Sequence, residues 1–178
     1  MTAMQFLIGI VFDLFLMVVL LRFWLQLVRA DFYNPLSQTV VKATSFAVNP
    51  LRKIIPGVGG LDLASLILAF LVGFAKVSIL MVMFYGGWEP VGAALGSLVT
   101  VITESFNLIL FILIVRALLS WVAQGYNPIA AVFEQLSEPM LRPLRKVIPP
   151  IGGFDLSILV AIIALQFLKR LLLVDILG

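Results

Sequence analysis

Four long apolar runs divide the chain, at about 4–28, 63–85, 98–122 and 156–176, the third open to extension back toward Pro90. A hydrocarbon core of about 30 Å is crossed by about 20 mostly apolar residues in a helix, and each run is long enough. In lipid a segment must satisfy its own backbone hydrogen bonds, which leaves helices or closed barrels. Continuous runs without strict alternation predict helices. The pattern therefore predicts four transmembrane helices.

Between the first and second runs, and again between the third and fourth, the pattern becomes amphipathic. Asn34-Pro35 and Asn127-Pro128 open these two segments; asparagine caps a helix N-terminus and proline suits its first position. Leu36, Val40, Ala43 and Ala47 then share one helical face, as do Ile129, Val132, Phe133, Leu136 and Met140. Ser37, Gln38, Lys42 and Thr44 supply the polar remainder of the first, and Gln135, Ser137 and Glu138 that of the second. The spacing predicts amphipathic helices over 35–48 and 128–141. A helix of this kind between two spans suits the membrane interface; packing on its own helical bundle is the alternative.

Each amphipathic segment leads into a stretch that the chain contains twice. Residues 50–63 read PLRKIIPGVGGLDL and residues 143–156 read PLRKVIPPIGGFDL, at a constant offset of 93. A repeat at that spacing marks a duplicated unit, with halves 1–88 and 89–178 meeting near Gly86-Gly87-Trp88-Glu89-Pro90. Pro50 and Pro56 are expected to interrupt helix, and the glycine pair permits backbone at positive φ. Asp62 and Asp155 stand just before the second span of each half. Each is a candidate N-cap, a carboxylate for Arg52-Lys53 or Arg145-Lys146, or both. Two spans per half orient the halves alike, about an axis along the membrane normal. The expected fold is an all-α membrane protein with four spans in two parallel-oriented tandem repeats, each with an interfacial amphipathic helix.

Composition agrees with that class: 62% of residues are hydrophobic and 12% charged, with mean hydropathy +1.17, against roughly 25% charged in soluble domains. The N-terminal run lacks a basic leader and holds Asp13 and Arg22, so it reads as a retained span and not a cleaved signal. The chain has no cysteine and no histidine, which removes disulfides, thiolate or imidazole metal sites and any serine–histidine–aspartate triad. No cofactor is expected, and no dense basic surface suggests direct contact with nucleic acid.

The basic residues set topology. Arg29, Lys42, Arg52 and Lys53 lie in the first amphipathic connection and Arg142, Arg145 and Lys146 in the second, whereas 86–97 has no Lys or Arg. The positive-inside rule puts both basic connections in the cytoplasm and both termini outside; Lys169 and Arg170, near the C-terminus, oppose this weakly.

Charge inside a bilayer costs at least a few kcal/mol and is a functional-site hypothesis by default. The repeat aligns Lys76 with Lys169, Arg22 with Arg116, and Asp13 with Asn107. Arg22 and Arg116 are near enough to the cytoplasmic end to snorkel to the headgroups. Lys76 lies about 12 residues into its helix, roughly 18 Å deep at 1.5 Å per residue, and Asp13 about nine residues, roughly 13 Å, from the opposite surface. These depths nearly coincide, so the sequence predicts an Asp13–Lys76 pair, either a packing tie or part of a polar pathway. In the second half Lys169 has Glu104 or Asn107 within reach. Gly92 and Gly96 form a GxxxG pattern that suits close helix packing, within the chain or between copies.

The doubled NP…PLRK-x-IP-x-x-GG-x-DL pattern, with a span on each side, resembles the YggT (also YlmG) family in its longer two-copy form. The resemblance covers nearly the whole chain, about 4–176. It implies a small protein of the bacterial cytoplasmic membrane with relatives in plastids. It also implies links to osmotic-stress tolerance and potassium uptake, and to division, nucleoid distribution and cytochrome assembly. It brings no catalytic residues.

The function expected is a non-enzymatic scaffold or regulator. Its partners would be the bilayer with its anionic headgroups, and a membrane protein or a second copy of this chain. Arg52, Lys53, Arg145 and Lys146 are the expected contacts, since basic residues near the surface favour anionic lipid by about 1 kcal/mol each. The competing expectation is a potassium pathway through Asp13, Lys76, Glu104, Asn107 and Lys169, although no filter of the TVGYG kind is present. An enzyme is the weakest reading, because no nucleophile–base spacing stands out.

Overall fold

The apolar runs form helices. A computed structural model describes residues 2–57, 59–122, 125, 127–148 and 155–176, the side chains of Trp121 and Val122 excepted. In chain order the helices are α1 (Ala3–Leu27), α2 (Pro35–Ile54), α3 (Leu63–Tyr85), α4 (Pro90–Val122), α5 (Pro128–Arg145) and α6 (Leu156–Arg170). α6 continues into a π-helical stretch, Leu171–Ile176. α1, α3, α4 and α6 with its continuation are long and apolar enough to cross a membrane. The third span begins at Pro90, whose fixed φ suits a first helical turn.

Two expectations are corrected. Pro50 does not interrupt its helix: α2 runs through it to Ile54, as α5 runs through Pro139 and Pro143 to Arg145. An internal proline removes one backbone bond, and the turns beyond Pro50 recover, with the Ile55 amide donating to the Leu51 carbonyl at 2.8 Å. Helix ends before Pro56, so only the second proline acts as a stop. The amphipathic faces also differ from the sequence reading. Ser37, Thr44 and Ser137 are buried and not on the polar side. Thr44 lies between Val40 and Val48, and Ser137 between Phe133 and Leu141, on the inward stripe. Their hydroxyls donate back to the Val40 and Phe133 carbonyls at 2.7 and 2.8 Å, which satisfies a buried donor locally.

Contacts divide the chain into two compact units, Met1–Leu27 with Thr39–Ser105, and Val28–Gln38 with Phe106–Gly178. In the first unit α1 packs on α3. Leu16, Val19, Leu20 and Leu25 of α1 are buried, as are Ala64, Leu68, Ala69 and Val72 of α3. Phe15 of α1 meets Phe46 of α2 with ring centroids 5.9 Å apart. In the second unit α5 packs on α6, around a core of Leu113, Leu141, Ile158 and Ala161. Phe111 meets Phe133 edge-on at 6.2 Å.

The turn that follows α2 depends on its glycines. Gly59 and Gly60 have φ of 62° and 85°, a left-handed backbone that side-chain-bearing residues rarely adopt. The corresponding turn in the second sequence copy, 149–154, lies outside the described residues.

Small residues bring α3 against α4 inside the first unit. The Ser97 hydroxyl donates to the Phe70 carbonyl across the helices at 2.7 Å. A Cβ at Gly73 would stand 2.9 Å from the Ser97 oxygen, and one at Gly96 would stand 3.2 Å from Val77. Gly96 of the GxxxG pattern is thus used within the chain. Gly73→Val is expected to force the helices apart and destabilise the protein by about 1–3 kcal/mol, seen as a lower thermal midpoint in detergent. An unchanged midpoint would show that this contact is not tight.

Candidate functional site

The Asp62 carboxylate is the centre of the first unit's charge cluster. It is the N-cap of α3, accepting from the Ser65 amide at 3.3 Å and the Ser65 hydroxyl at 2.6 Å. Each carboxylate oxygen can accept two hydrogen bonds, so the group has acceptor capacity left. Arg52, in the last turn of α2, fills it with Nε 3.3 Å from Oδ1 and Nη2 2.5 Å from Oδ2. Asp62 therefore both starts α3 and ties the end of α2 to it across the glycine turn. Such two-pronged arginine–carboxylate pairs fix geometry as well as charge. Arg52 Nη2 also donates to Gln26 Oε1 of α1 at 2.9 Å.

Arg22 joins from α1. It does not snorkel: it is 3% exposed. Its Nη1 donates to the Thr44 hydroxyl at 2.8 Å and the Val41 carbonyl at 3.1 Å on α2, and its Nε lies 3.8 Å from Asp62 Oδ2. Burial alone would raise the Asp62 pKa. The Arg52 hydrogen bonds, with those from Ser65 and the Arg52 charge, outweigh burial and hold it below the ordinary 3.8.

The second unit repeats the tie. Asp155 caps α6 through the Ser157 amide at 3.1 Å. Arg145 reaches Asp155 Oδ2 with Nε and Nη2 at 2.9 and 2.6 Å. Burial pushes against ionisation here too, and the Arg145 and Ser157 bonds again win, so the Asp155 pKa is lowered. Arg145 also donates to Glu138 at 3.0 Å, and Arg116 to Glu134 at 3.1 Å. Arg116, like Arg22, turns to a neighbouring helix, here α5, and not to the headgroups. Asn127 caps α5, accepting from the Ile129 and Ala130 amides. Asn34 accepts from the Leu36 amide at 3.0 Å and donates to the Pro128 carbonyl at 2.6 Å.

Within the spans, Lys76 Nζ lies 2.5 Å from Asp13 Oδ1, which joins α3 to α1. Lys169 Nζ lies 2.6 Å from Asn107 Oδ1. Glu104 is buried on α4. Of the four basic residues expected to face lipid or a partner, Arg52 and Arg145 are bonded to their own aspartates, Arg52 with its side chain still 41% exposed, and Lys53 and Lys146 are exposed.

Sequence reasoning misses Arg22 as a site residue, and with it Thr44 and Ser65. One signal is available. Thr44 is a polar residue on an apolar stripe, at i+4 from Val40 and i−4 from Val48, and a buried hydroxyl there calls for a partner from a neighbouring helix.

The family model described as CCB3/YggT matches residues 1–83 and 95–176. Over 181 residues the chain is 49% identical to an uncharacterized protein of the proC 3′ region in Vibrio alginolyticus, covering 100% of this chain and 97% of that one. It is 47% identical to an uncharacterized protein of Pseudomonas aeruginosa, covering 97% and 89%. To the uncharacterized protein YggT of Escherichia coli K12 it is 41% identical, covering 95% and 88%. No solved structure matches the chain.

The Asp62 tie carries a pH dependence. A carboxylate whose folded pKa lies below its unfolded one contributes stability that is full above the unfolded value, here 3.8. That stability is lost as pH falls through the folded value. The wild type is expected to lose stability below about pH 4. Asp62→Asn keeps a cap but removes the charge, so it should be less stable at pH 7 by about 3 kcal/mol and show a shallower acid slope. Thermal midpoints measured from pH 7 to pH 3 check this; identical slopes would remove Asp62 from the account.

Proposed function

The chain belongs to the CCB3/YggT family, and on that premise we propose a non-enzymatic scaffold or regulator of the bacterial cytoplasmic membrane, linked to osmotic-stress tolerance and potassium homeostasis. In this reading the basic connections face the cytoplasm and the termini lie outside. α2 and α5 rest in the interface as the amphipathic helices of two parallel-oriented repeats. The observation that carries the reading is the division of labour inside each PLRK stretch. The arginine is taken up by the aspartate that starts the next span, at 2.5 Å for Arg52 and 2.6 Å for Arg145. The adjacent lysine is exposed. A helix end anchored by an arginine–aspartate tie, with a lysine left exposed beside it, is a device for presenting charge to anionic headgroups or to a partner.

The second reading, a subunit of a potassium uptake pathway, rests on the lysines within the spans. Lys76 and Lys169 each meet an oxygen of a facing helix. A cationic lysine on a route opposes passage of a cation, so the ties read better as packing devices and any potassium phenotype as indirect.

The test is charge reversal at the two presented lysines. A strain lacking its own copy and complemented with Lys53→Glu/Lys146→Glu should grow poorly at high osmolarity and limiting potassium. The variant should still insert with wild-type amount and orientation. Full complementation by the inserted variant would sink the scaffold reading.

A further inference from the structure

The two sequence copies balance their arginines differently. In the second, Arg116 has Glu134 at 3.1 Å, and Arg145 has both Asp155 at 2.6 Å and Glu138 at 3.0 Å. In the first copy the residues at the positions of Glu134 and Glu138 are Val41 and Ser45. There, among the described residues, Arg22 and Arg52 share the carboxylate of Asp62. The other acceptors, Thr44, the Val41 carbonyl and Gln26, take hydrogen bonds but neutralise nothing. One guanidinium charge is left over.

The Nε atoms of Arg22 and Arg116 are both buried with no hydrogen-bond partner among the described residues, so the copies differ in their carboxylates. Arg116 has Glu134 at 3.1 Å. Arg22, 3% exposed, faces Asp62 from 3.8 Å, and that carboxylate is already held by Arg52 at 2.5 Å. A buried charged donor without an acceptor is costly and asks for an anion. The cluster also has an open side, because the Arg52 side chain is 41% exposed. Asn49, exposed, precedes Arg52 on α2 by three residues and neighbours it on the helix surface. Lys53 follows directly.

We propose that the Arg22–Arg52 cluster of the first copy binds the phosphate group of an anionic lipid, which supplies the negative charge that Glu134 and Glu138 supply in the second copy. This deepens the scaffold reading by giving one part of the basic face a ligand. Phosphate suits the cluster because arginine forks match its oxygens, and the cluster lies at the end of α1 and the start of α3, where a span meets the headgroups.

The experiment follows thermal unfolding of the full chain in detergent with added phosphatidylglycerol, phosphatidylcholine or inorganic phosphate. Phosphatidylglycerol is expected to raise the midpoint by about 5 °C, as a ligand well above its Kd does, and phosphatidylcholine is expected not to. Ser45→Glu places a carboxylate where Glu138 meets Arg145, and should abolish the shift. Glu134→Val with Glu138→Ser gives the second copy the residues of the first, leaves Asp155, among the described residues, as the one carboxylate for Arg116 and Arg145, and should enlarge it. If inorganic phosphate alone reproduces the shift and Ser45→Glu removes it, the phosphate site stands with a soluble source. Three results overturn the proposal: no shift with either phosphate source, an equal shift with phosphatidylcholine, or a shift unchanged in both variants. Lys53 and Lys146 are intact throughout, so failure here is separate from failure of the scaffold reading.

Discussion

A charge carried into or beside a membrane must find its opposite within the protein, and the Asp62 carboxylate is where the first unit meets that constraint. Three helices converge on it. α3 starts from it, α2 ends on it through Arg52, and α1 reaches it through Arg22. Removing one partner from a buried pair costs about 3–5 kcal/mol, comparable with a large part of a typical folding free energy. The glycine turn between Arg52 and Asp62 lets the two meet. Positive φ at Gly59 and Gly60 allows ten residues of chain to reverse and bring the end of one helix to the start of the next.

The same logic runs through the spans at lower charge density. Lys76 with Asp13, and Lys169 with Asn107, each tie a later helix to an earlier one inside its own unit. Ser97 does so without charge. In lipid there is no hydrophobic drive between helices, so such polar ties and close backbone approach carry the specificity of packing. A chain built in this way uses its intramembrane polar groups to hold helices in register. Lys53 and Lys146 remain exposed beside the arginines that are tied.

Much of this is legible in the sequence because membrane constraints are local. An apolar run of the right length has few alternatives to a spanning helix. The helical rise of about 1.5 Å per residue places Asp13 and Lys76 at matching depths from residue spacing alone. The repeat puts Asp62 and Asp155 in equivalent places with two roles open, and both carboxylates perform both. What is not legible depends on contacts between helices. Position along α1 alone assigns Arg22 to the headgroups, yet it turns inward because Thr44 and Asp62 wait there. Pro50 reads as a stop, because the rule for proline in a helix says nothing of how well the flanking turns are held. The buried faces of α2 and α5 are shifted for a similar reason: hydroxyls that bond their own helix carbonyls count as apolar surface, and a polarity count misplaces them.

The central claim is that the intramembrane charges are ties and not a route. Potassium flux into proteoliposomes holding only the purified chain tests it most directly, with Lys76→Leu and Asp13→Asn measured beside the wild type. The account predicts flux no greater than that of empty vesicles for all three. Flux above that level in the wild type, altered by either substitution, would contradict it and make the Asp13–Lys76 pair part of a conduction path.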